Sequence, residues 1–261
     1  MKNIKSLGQN WLKDRPTLES IADLVTDFPE TSPENPPKLC IEIGPGLGTL
    51  TSSLLKRFDK VFAIEFDSNL AQNLPKSFPG KNLTVFNEDI LKFDFDKIEE
   101  PFVVAGNIPY YITTPIIEKL LSLKNKPEKI VLLVQKEVAE KINKIPSNSS
   151  LSIFVENFAD TSLGPIVLKN LFTPPPKVDS RILILTPHNT PKTSNSEILN
   201  FIHKCFSNPR KKLSTNLALN GFISKTEAEQ LLTDLGFGKN ARPSDLNLNN
   251  YIMLAKKLKK R

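Results

Sequence analysis

Five short, continuous apolar runs recur through the first 135 residues, and four of them are followed by stretches with helical spacing. Runs that are apolar at every position, instead of at every second one, are typical of strands in a parallel sheet covered on both faces. Strands that alternate with helices predict an α/β fold with a doubly wound sheet, in which ligands bind beyond the carboxyl ends of the strands. The runs lie at residues 38–43, 60–66, 83–86, 102–105 and 129–135.

Further elements are predicted on both sides of these strands. Pro16 opens a helix, because proline is well tolerated in the first turn, and apolar residues recur at helical spacing from Leu18 to Val25. Residues 151–158 also have helical spacing, whereas residues 165–168 and 181–185 indicate two more strands of the sheet.

A polar stretch rich in structure-breaking residues, PHNTPKTSNSE at 187–197, predicts a linker. Only short helical patterns follow it, and one of them begins at Ser224 with a capping box to Glu227. The sequence therefore predicts a catalytic α/β domain at residues 1–187 and a small all-α domain at residues 188–261.

The positive charge of the chain is confined to its last quarter. Residues 1–187 carry a net charge of −1 and residues 188–261 a net charge of +8, which together give the +7 of the whole chain. The plainest interpretation is a solvated, lysine-rich helical surface. Segregation this complete favours a polyanionic partner instead.

Several classes of protein are disfavoured by what the sequence contains. Cys40 and Cys205 lie in a predicted strand and a predicted helix of different domains, so we expect two buried thiols and no disulfide. Two histidines are too few for most His-based metal sites, and we expect no metal. The start of the chain lacks the apolar core of a secretion signal, and no segment approaches ~20 apolar residues. We expect a cytoplasmic protein that is not bound to a membrane.

Three successive strand ends carry groups suited to a nucleoside. In EIGPGLGTLT (42–51), Gly44, Gly46 and Gly48 allow a sharp turn and the close approach of a ligand to the backbone. Nicotinamide, flavin and S-adenosylmethionine (SAM) proteins all use such turns, although GxGxG spacing differs from the GxGxxG of pyrophosphate-binding turns. Glu65 can accept hydrogen bonds from both ribose hydroxyls, and Asp89 can accept from an adenine amine.

The segment GNIPYYITTP (106–115) follows the fourth strand and offers neither an acid nor a base. The amino group of adenine is a poor nucleophile, because its lone pair is delocalised into the ring. Acceptors around its two N–H protons make the nitrogen more tetrahedral, and we expect these to be the Asn107 side-chain carbonyl and the backbone carbonyl of Ile108 or Pro109. Tyr110 offers a ring on which the base can stack, so catalysis would come mainly from positioning.

A base in folded RNA must first leave its stack to reach such a pocket, and aromatic walls help to hold it there. LFTPPPKVDS (171–180) supplies a candidate second wall in Phe172, on a loop stiffened by three prolines. Lys177 in the same loop is a candidate phosphate contact.

Taken together, these segments resemble the ribosomal RNA adenine N6-dimethyltransferase family, in particular its bacterial small-subunit type. The resemblance runs from GQNWL (8–12) through EIGPGLGTLT, NIPYYITTPII, VQKEVAEKI and FTPPPKVDS to RPSDLNLNNYIMLAKKL, and so covers nearly the whole chain. It implies a SAM-dependent methyltransferase with a Rossmann-like sheet that adds two methyl groups to each of two adjacent adenosines near the 3′ end of 16S rRNA. It also implies a monomer that acts on an immature small ribosomal subunit.

The resemblance also assigns residues. The SAM contacts that it implies are Asn10, Leu12, Gly44, Gly46, Glu65, Asp89 and Asn107. The aromatic pair that would sandwich the target base is Tyr110 and Phe172. The basic cluster in NPRKKLSTNL (208–217) would contact RNA phosphates through Arg210, Lys211 and Lys212.

Two positions depart from the family pattern. Trp11 stands where Phe is usual, and Tyr111 replaces a frequent Asn. Three other functions remain open at this point. They are a large-subunit methyltransferase of the Erm type, a non-catalytic assembly or transcription factor on the same fold, and a nicotinamide oxidoreductase.

Overall fold

The structure is a computed structural model that describes residues 9–28, 36–144, 146, 148–194 and 196–259. Within these ranges the strands are β1 (Trp11–Leu12), β2 (Leu39–Ile43), β3 (Lys60–Glu65), β4 (Leu83–Asn87), β5 (Phe102–Asn107), β6 (Ile130–Gln135), β7 (Ala159–Val167), β8 (Phe172–Thr173) and β9 (Ser180–Pro187). The helices are α1 (Arg15–Thr26), α2 (Thr49–Leu54), α3 (Ser68–Asn73), α4 (Thr113–Ser122), α5 (Lys136–Ile142), α6 (Ser150–Phe158), α7 (Ser196–Cys205), α8 (Leu213–Leu219), α9 (Lys225–Asp234) and α10 (Leu248–Leu258).

Seven strands form one sheet in the order β4-β3-β2-β5-β6-β9-β7. The first five run parallel to one another, and β9 pairs antiparallel with β6. The strand order reverses at β2, between β3 and β5, which is where doubly wound sheets bind ligands. The predicted doubly wound α/β fold is therefore confirmed.

Burial explains why the central strands were recognised easily and the edge strands less so. Every residue of β2 is buried, and so are the first five residues of β5 and β6. The edge strand β4 has no fully buried residue. The opposite edge strand, β7, begins at Ala159, six residues before the predicted 165–168. The sequence does not indicate this first part as a strand, because residues 160–162 are polar.

Helix α1 illustrates how local sequence determines an element in this chain. Asp14 caps the helix, with its side chain accepting from the Thr17 backbone N–H at 3.0 Å, and Pro16 lies in the first turn. The buried face consists of Leu18, Ile21, Ala22 and Val25, as predicted. The capping box of Ser224 and Glu227 at the start of α9 is also present.

The chain divides into two compact units, and the division differs from the predicted domains in one segment. The first unit contains Met1–Ala139 and Asp160–Pro187, and the second contains Glu140–Ala159 and His188–Arg261. The predicted first domain, residues 1–187, includes residues 140–159. They group with the second because Ile153 of α6 is fully buried in the apolar cluster of that unit.

The predicted linker is also more firmly held than its composition suggests. The side-chain carbonyl of Asn157 in α6 accepts from the Thr193 backbone N–H at 2.7 Å, and the Asn157 backbone carbonyl accepts from the Lys192 N–H at 3.0 Å. Because Asn157 itself is fully buried, these bonds attach the segment to the second unit.

Both cysteines are buried free thiols, as predicted. Among the described helices, none combines the length and the hydropathy that crossing a membrane requires.

Candidate active site

A cavity lies in the first unit where the carboxyl ends of β2, β3 and β5 meet. The predicted site residues that line it are Asn10, Gly44, Gly46, Glu65, Asp89, Asn107, Ile108, Pro109 and Tyr110. Trp11 and Tyr111, the two departures from the family pattern, line it as well, as do Glu42 and Phe66. Leu12 and Phe172 are not part of its lining.

The glycine turn after β2 has the backbone geometry that its sequence indicates. Gly44, Gly46 and Gly48 have φ values of +65°, +57° and +81°, a region in which residues with a side chain are strained. A Cβ on Gly46 would lie 3.3 Å from Cδ1 of Trp11, and one on Gly48 would lie 2.7 Å from Cδ1 of Leu74. Gly44 and Gly46 therefore present bare backbone to the cavity, and a side chain at Gly46 or Gly48 would be crowded by its neighbours.

Glu65 is fixed at the end of β3 by backbone donors. Its Oε2 accepts from the Gly46 N–H at 3.1 Å, and its Oε1 accepts from the Asp67 N–H at 2.8 Å. Burial raises the pKa of Glu65, and these hydrogen bonds act in the opposite direction because they favour the charged form. Each carboxylate oxygen keeps a second lone pair, so the side chain can still accept from ribose hydroxyls.

Asp89 lies in the loop that follows β4, and this loop is attached to α4. Its Oδ1 accepts from the Leu91 N–H at 2.9 Å. Lys119 of α4 donates to the backbone carbonyls of Leu91 and Phe93 at 2.9 and 2.7 Å. These contacts hold the Asp89 carboxylate at the cavity wall, where it is available to an adenine amine.

Asn107 ends β5, and its side-chain orientation is set by a residue 97 positions away. The amide nitrogen Nδ2 donates to the backbone carbonyl of Asn10 at 3.0 Å. This bond uses one of the two N–H groups of the amide, so the side chain can still offer its carbonyl oxygen Oδ1 and its second N–H to a ligand. The geometry agrees with the acceptor role expected of Asn107.

Two backbone carbonyls, those of Ile108 and Pro109, were considered as the second acceptor for the adenine amino group, and the structure favours Ile108. The Pro109 carbonyl accepts from the Ile112 N–H at 3.2 Å, because residues Tyr110–Ile112 form a 3-10 turn that leads into α4. The Pro109 carbonyl already has a hydrogen-bond partner within the chain, which disfavours it as the acceptor for a ligand. Ile108, whose side chain is buried, remains the better candidate for a backbone acceptor beside Asn107.

A two-stranded sheet, β1 with β8, brings together two predicted segments that the sequence could not place. Trp11 pairs with Thr173 and Leu12 with Phe172. The Leu12 side chain is buried, while its backbone carbonyl accepts from the Thr49 hydroxyl at 3.0 Å. Leu12 thus contributes through its backbone, which fixes β1 and with it Trp11 and the preceding residue, Asn10.

Phe172 does not line the cavity, although it was expected to stack on the target base. Its side chain is 3% exposed and packs in the apolar cluster that includes Leu12 and Leu18. Because its strand pairs with β1, the ring points into the core instead of lining the cavity. In this structure the exposed aromatic rings of the cavity are Phe66 and Tyr111, at 61% and 63% exposure.

Tyr110 is held by a hydrogen bond across 70 residues. Its hydroxyl lies 2.7 Å from Oγ of Ser180, a fully buried residue at the start of β9. Burial raises the pKa of Tyr110, so the ring is a neutral phenol at physiological pH. The sequence does not indicate this contact, because Ser180 ends the segment 171–180 but nothing in that segment pairs it with Tyr110.

We expect Ser180→Ala and Tyr110→Phe each to lower the methyl-transfer rate about 3- to 10-fold, since a lost hydrogen bond is worth roughly 1 kcal/mol. The double variant should be no slower than the slower single one, because both changes remove the same contact. Single-turnover rates of the three variants give this comparison. Additive losses would show that the two residues act separately.

Glu42, the fourth residue of β2, is a buried acid at the same cavity. Only 1% of its surface is exposed, and its Oε2 accepts from the Thr51 hydroxyl at 2.6 Å. Burial, reinforced by the nearby charge of Glu65, raises the pKa of Glu42 from 4.5 to about 8. The carboxyl group is therefore mostly protonated at neutral pH in the ligand-free protein.

This shift predicts a pH-dependent stability. Folded Glu42 holds its proton more tightly than the unfolded chain does, so its contribution is complete below pH 4.5 and is lost as the pH rises through about 8. Glu42→Gln stays neutral at every pH. From pH 5 to pH 8.5 its free energy of unfolding should therefore rise relative to that of the natural protein by at least about 1 kcal/mol, with a corresponding rise in its relative melting temperature. Thermal melts of the ligand-free proteins across this range measure it. A difference that does not change with pH would contradict the shift.

The predicted RNA contacts are exposed in the two units. Lys177 is exposed in the first unit, and Arg210, Lys211 and Lys212 are exposed in the loop before α8 in the second. Buried Asn216 shapes this loop, because its Oδ1 accepts from the Asn208 N–H at 3.0 Å and its Nδ2 donates to the Asn208 carbonyl at 3.1 Å. The three cations are therefore displayed on a fixed loop.

Among the described residues, no group of three or more His, Cys, Asp or Glu side chains is arranged to hold a metal ion. Both histidines, His188 and His203, belong to the second unit and so to a different unit from the cavity.

Comparison with known proteins gives consistent matches along the chain. The sequence model of the family described as Ribosomal RNA adenine dimethylase matches residues 1–259. The chain is 39% identical to Ribosomal RNA small subunit methyltransferase A of Bacillus pumilus, over 98% of this chain and 91% of that protein. It is 35% identical to the protein of the same name from Mycoplasma capricolum, over 97% of each.

Two solved structures are similar over their whole length. A dimethyladenosine transferase from Plasmodium falciparum has a TM-score of 0.74 and 29% identity, with 95% of this chain and 97% of that one covered. The 23S rRNA methyltransferase ErmE has a TM-score of 0.69 and 28% identity, with 96% and 100% covered.

Proposed function

Because the chain belongs to the ribosomal RNA adenine dimethylase family, we propose that it dimethylates N6 of two adjacent adenosines near the 3′ end of 16S rRNA. The methyl donor is SAM, and the substrate is the immature small ribosomal subunit. The relatives named small subunit methyltransferase, at 35% and 39% identity over nearly the whole chain, support this substrate. The observation that carries the proposal is the Asn107 amide, oriented by Asn10 at the end of β5.

The residues of the cavity fit the donor. SAM combines an adenine, a ribose and a positively charged sulfonium, and when bound it supplies an electrophilic methyl carbon. Glu65 and Asp89 offer carboxylates to the ribose and the adenine, and the positive-φ glycines let the backbone approach closely. Two buried carboxyl groups, Glu42 and Glu65, suit a cationic ligand.

The acceptor side of the site works by orientation. Asn107 Oδ1 and the Ile108 carbonyl accept hydrogen bonds from the two N6–H groups and turn the nitrogen lone pair toward the methyl carbon. The N6–carbon bond forms as the sulfur–carbon bond breaks, and the N6 proton then passes to water. A methylated, positively charged amine loses its proton readily, so the step needs no residue as base.

The aromatic residues hold the base after it leaves its stack. Tyr110, positioned by Ser180, gives one ring. Since Phe172 is buried in the core, we propose that exposed Tyr111 supplies the second contact. Stacking on aromatic rings is worth about 1–3 kcal/mol per base, which offsets part of the cost of unstacking.

The test is methyl transfer to separated ribosomal subunits that lack dimethyladenosine. With labelled SAM, we expect two methyl groups on each of two adjacent adenosines of the small-subunit RNA and none in the large subunit. Nucleoside analysis and site mapping of the label give the result.

We further propose that the protein acts as a monomer in the cytoplasm.

The similarity to ErmE favours one other candidate, an enzyme of the same chemistry that modifies 23S rRNA. Label in the large-subunit RNA would support it and overturn the small-subunit assignment. Absence of label from both subunits, with the donor bound, would indicate a non-catalytic assembly factor.

A further inference from the structure

Glu42 is a buried acid that faces the cavity and takes no part in orienting the adenine amino group. It lies on β2, the central strand of the site, between Ala63 of β3 and Ala105 of β5 in the sheet register. Its hydrogen bond to the Thr51 hydroxyl comes from α2, which follows the glycine turn. A carboxyl group in such a position is costly to bury unless it is neutral or paired.

The two acids of the cavity have different surroundings. Glu65 accepts from two backbone N–H groups, which can only donate and therefore stabilise a negative charge. Glu42 has a hydroxyl partner, which can donate to a carboxylate or accept from a carboxylic acid, so it tolerates both protonation states. Two buried acids that interact do not both ionise easily. The proton of the pair therefore belongs mainly to Glu42.

A cation bound in the cavity favours the ionised form of Glu42 over the neutral form. The inference that follows rests on the proposed use of SAM. We propose that Glu42 is a proton-linked counter-charge for the methyl donor, neutral in the ligand-free cavity and ionised when the cationic donor binds. The proton passes to solvent as the donor enters. After methyl transfer the sulfur is neutral, and Glu42 regains a proton from solvent.

The groups that interact electrostatically with Glu42 define its titration. They are Glu65 on β3 and, on its own strand, Cys40. The neighbours from the other packed elements are neutral, namely Thr51, Ala63 and Ala105. A positive ligand is therefore the change that most directly favours the charged form of Glu42.

The linkage has a definite sign. Below the pKa of about 8 that Glu42 has in the ligand-free protein, donor binding requires loss of its proton. Donor affinity should therefore rise with pH, by up to about tenfold per unit, until the pH passes that value. The product S-adenosylhomocysteine lacks the sulfonium charge, so its affinity should depend less on pH. This difference would help an enzyme that must exchange product for donor between successive methylations.

Titration calorimetry of SAM binding in buffers of different ionisation enthalpy measures the protons released. At pH 7 we expect the natural protein to release close to one proton more than Glu42→Gln. S-adenosylhomocysteine should show a smaller difference. The amino group common to both ligands contributes equally to protein and variant, so it cancels. Glu99→Gln, which removes an exposed carboxylate outside the cavity lining, should behave as the natural protein does.

A second variant guards against misfolding of Glu42→Gln. Thr51→Val removes the hydroxyl that stabilises the Glu42 carboxylate, so proton release should persist with its midpoint moved to higher pH. Equal proton release by the natural protein and Glu42→Gln would overturn the inference while leaving the proposed function intact. No binding of SAM at any pH would instead contradict the proposed function.

Discussion

Asn107→Ala is expected to lower the rate of methyl transfer by at least about two orders of magnitude with the fold intact, comparable to the loss of one oriented group in other preorganised sites. The side chain contributes an acceptor whose direction is set by its bond to the Asn10 carbonyl. Without it, the adenine amine keeps its lone pair in the ring and is no longer aimed at the methyl carbon. Single-turnover rates at saturating donor isolate this effect from any change in donor affinity.

The matched control is Asn125→Ala. Asn125 also donates from its side-chain amide to a backbone carbonyl, that of Ile98 at 2.7 Å, but it does not line the cavity. Its rate should equal that of the natural protein. A near-normal rate for Asn107→Ala, or an equal loss in both variants, would remove the assigned role of Asn107.

The second large effect is expected from neutralising the basic loop, with Arg210, Lys211 and Lys212 all changed to Gln. Each phosphate contact lowers the slope of log affinity against log salt by about 0.7–0.9. Three lost contacts should therefore make the slope less negative by about 2 to 3 and weaken RNA binding by roughly two orders of magnitude at 0.1 M salt. The loss should shrink as salt rises, because counterion release contributes less there.

The control has the same change in charge at scattered positions. Lys225, Lys239 and Lys257 are exposed in the same unit but lie outside the loop held by Asn216. Their replacement by Gln should leave most of the affinity and of the salt slope. Equal losses in the two triple variants would mean that net charge, and not this loop, determines RNA binding.

The features that could be predicted from the sequence are those encoded by neighbouring residues. The central strands were evident because both faces of β2, β5 and β6 are buried. Since the carboxyl ends of parallel strands meet at one edge, the glycine turn, Glu65, Asp89 and Asn107 could be expected to converge. The cavity lining contains all of them.

The features that could not be predicted depend on contacts between distant residues. The pairing of β1 with β8 involves two residues on each side, too few to produce a periodic pattern. That pairing turns Phe172 into the core, which its position before three prolines did not reveal. The bonds from Asn107 to Asn10 and from Tyr110 to Ser180 join residues 97 and 70 positions apart. In both cases the predicted residue is placed in the site by a partner far away in the sequence, and the residues next to it do not indicate that contact.

The grouping of residues 140–159 has the same origin. Helical spacing correctly indicated α6, but it did not indicate which apolar core the helix joins. Ile153 and Val155 are buried, whereas Leu151 and Phe154 are only partly buried. The helix is placed by the apolar cluster of the second unit, whose other members come from residues beyond 197.

The most direct test of the account is an experimental structure of the protein with an unreactive SAM analogue and an RNA that contains the target adenosines. We expect the analogue in the cavity beyond β2, β3 and β5. We also expect an everted adenine whose N6 lies within about 3 Å of Asn107 Oδ1 and of the Ile108 carbonyl. An analogue bound outside this cavity, or an adenine amine held by other groups, would contradict it.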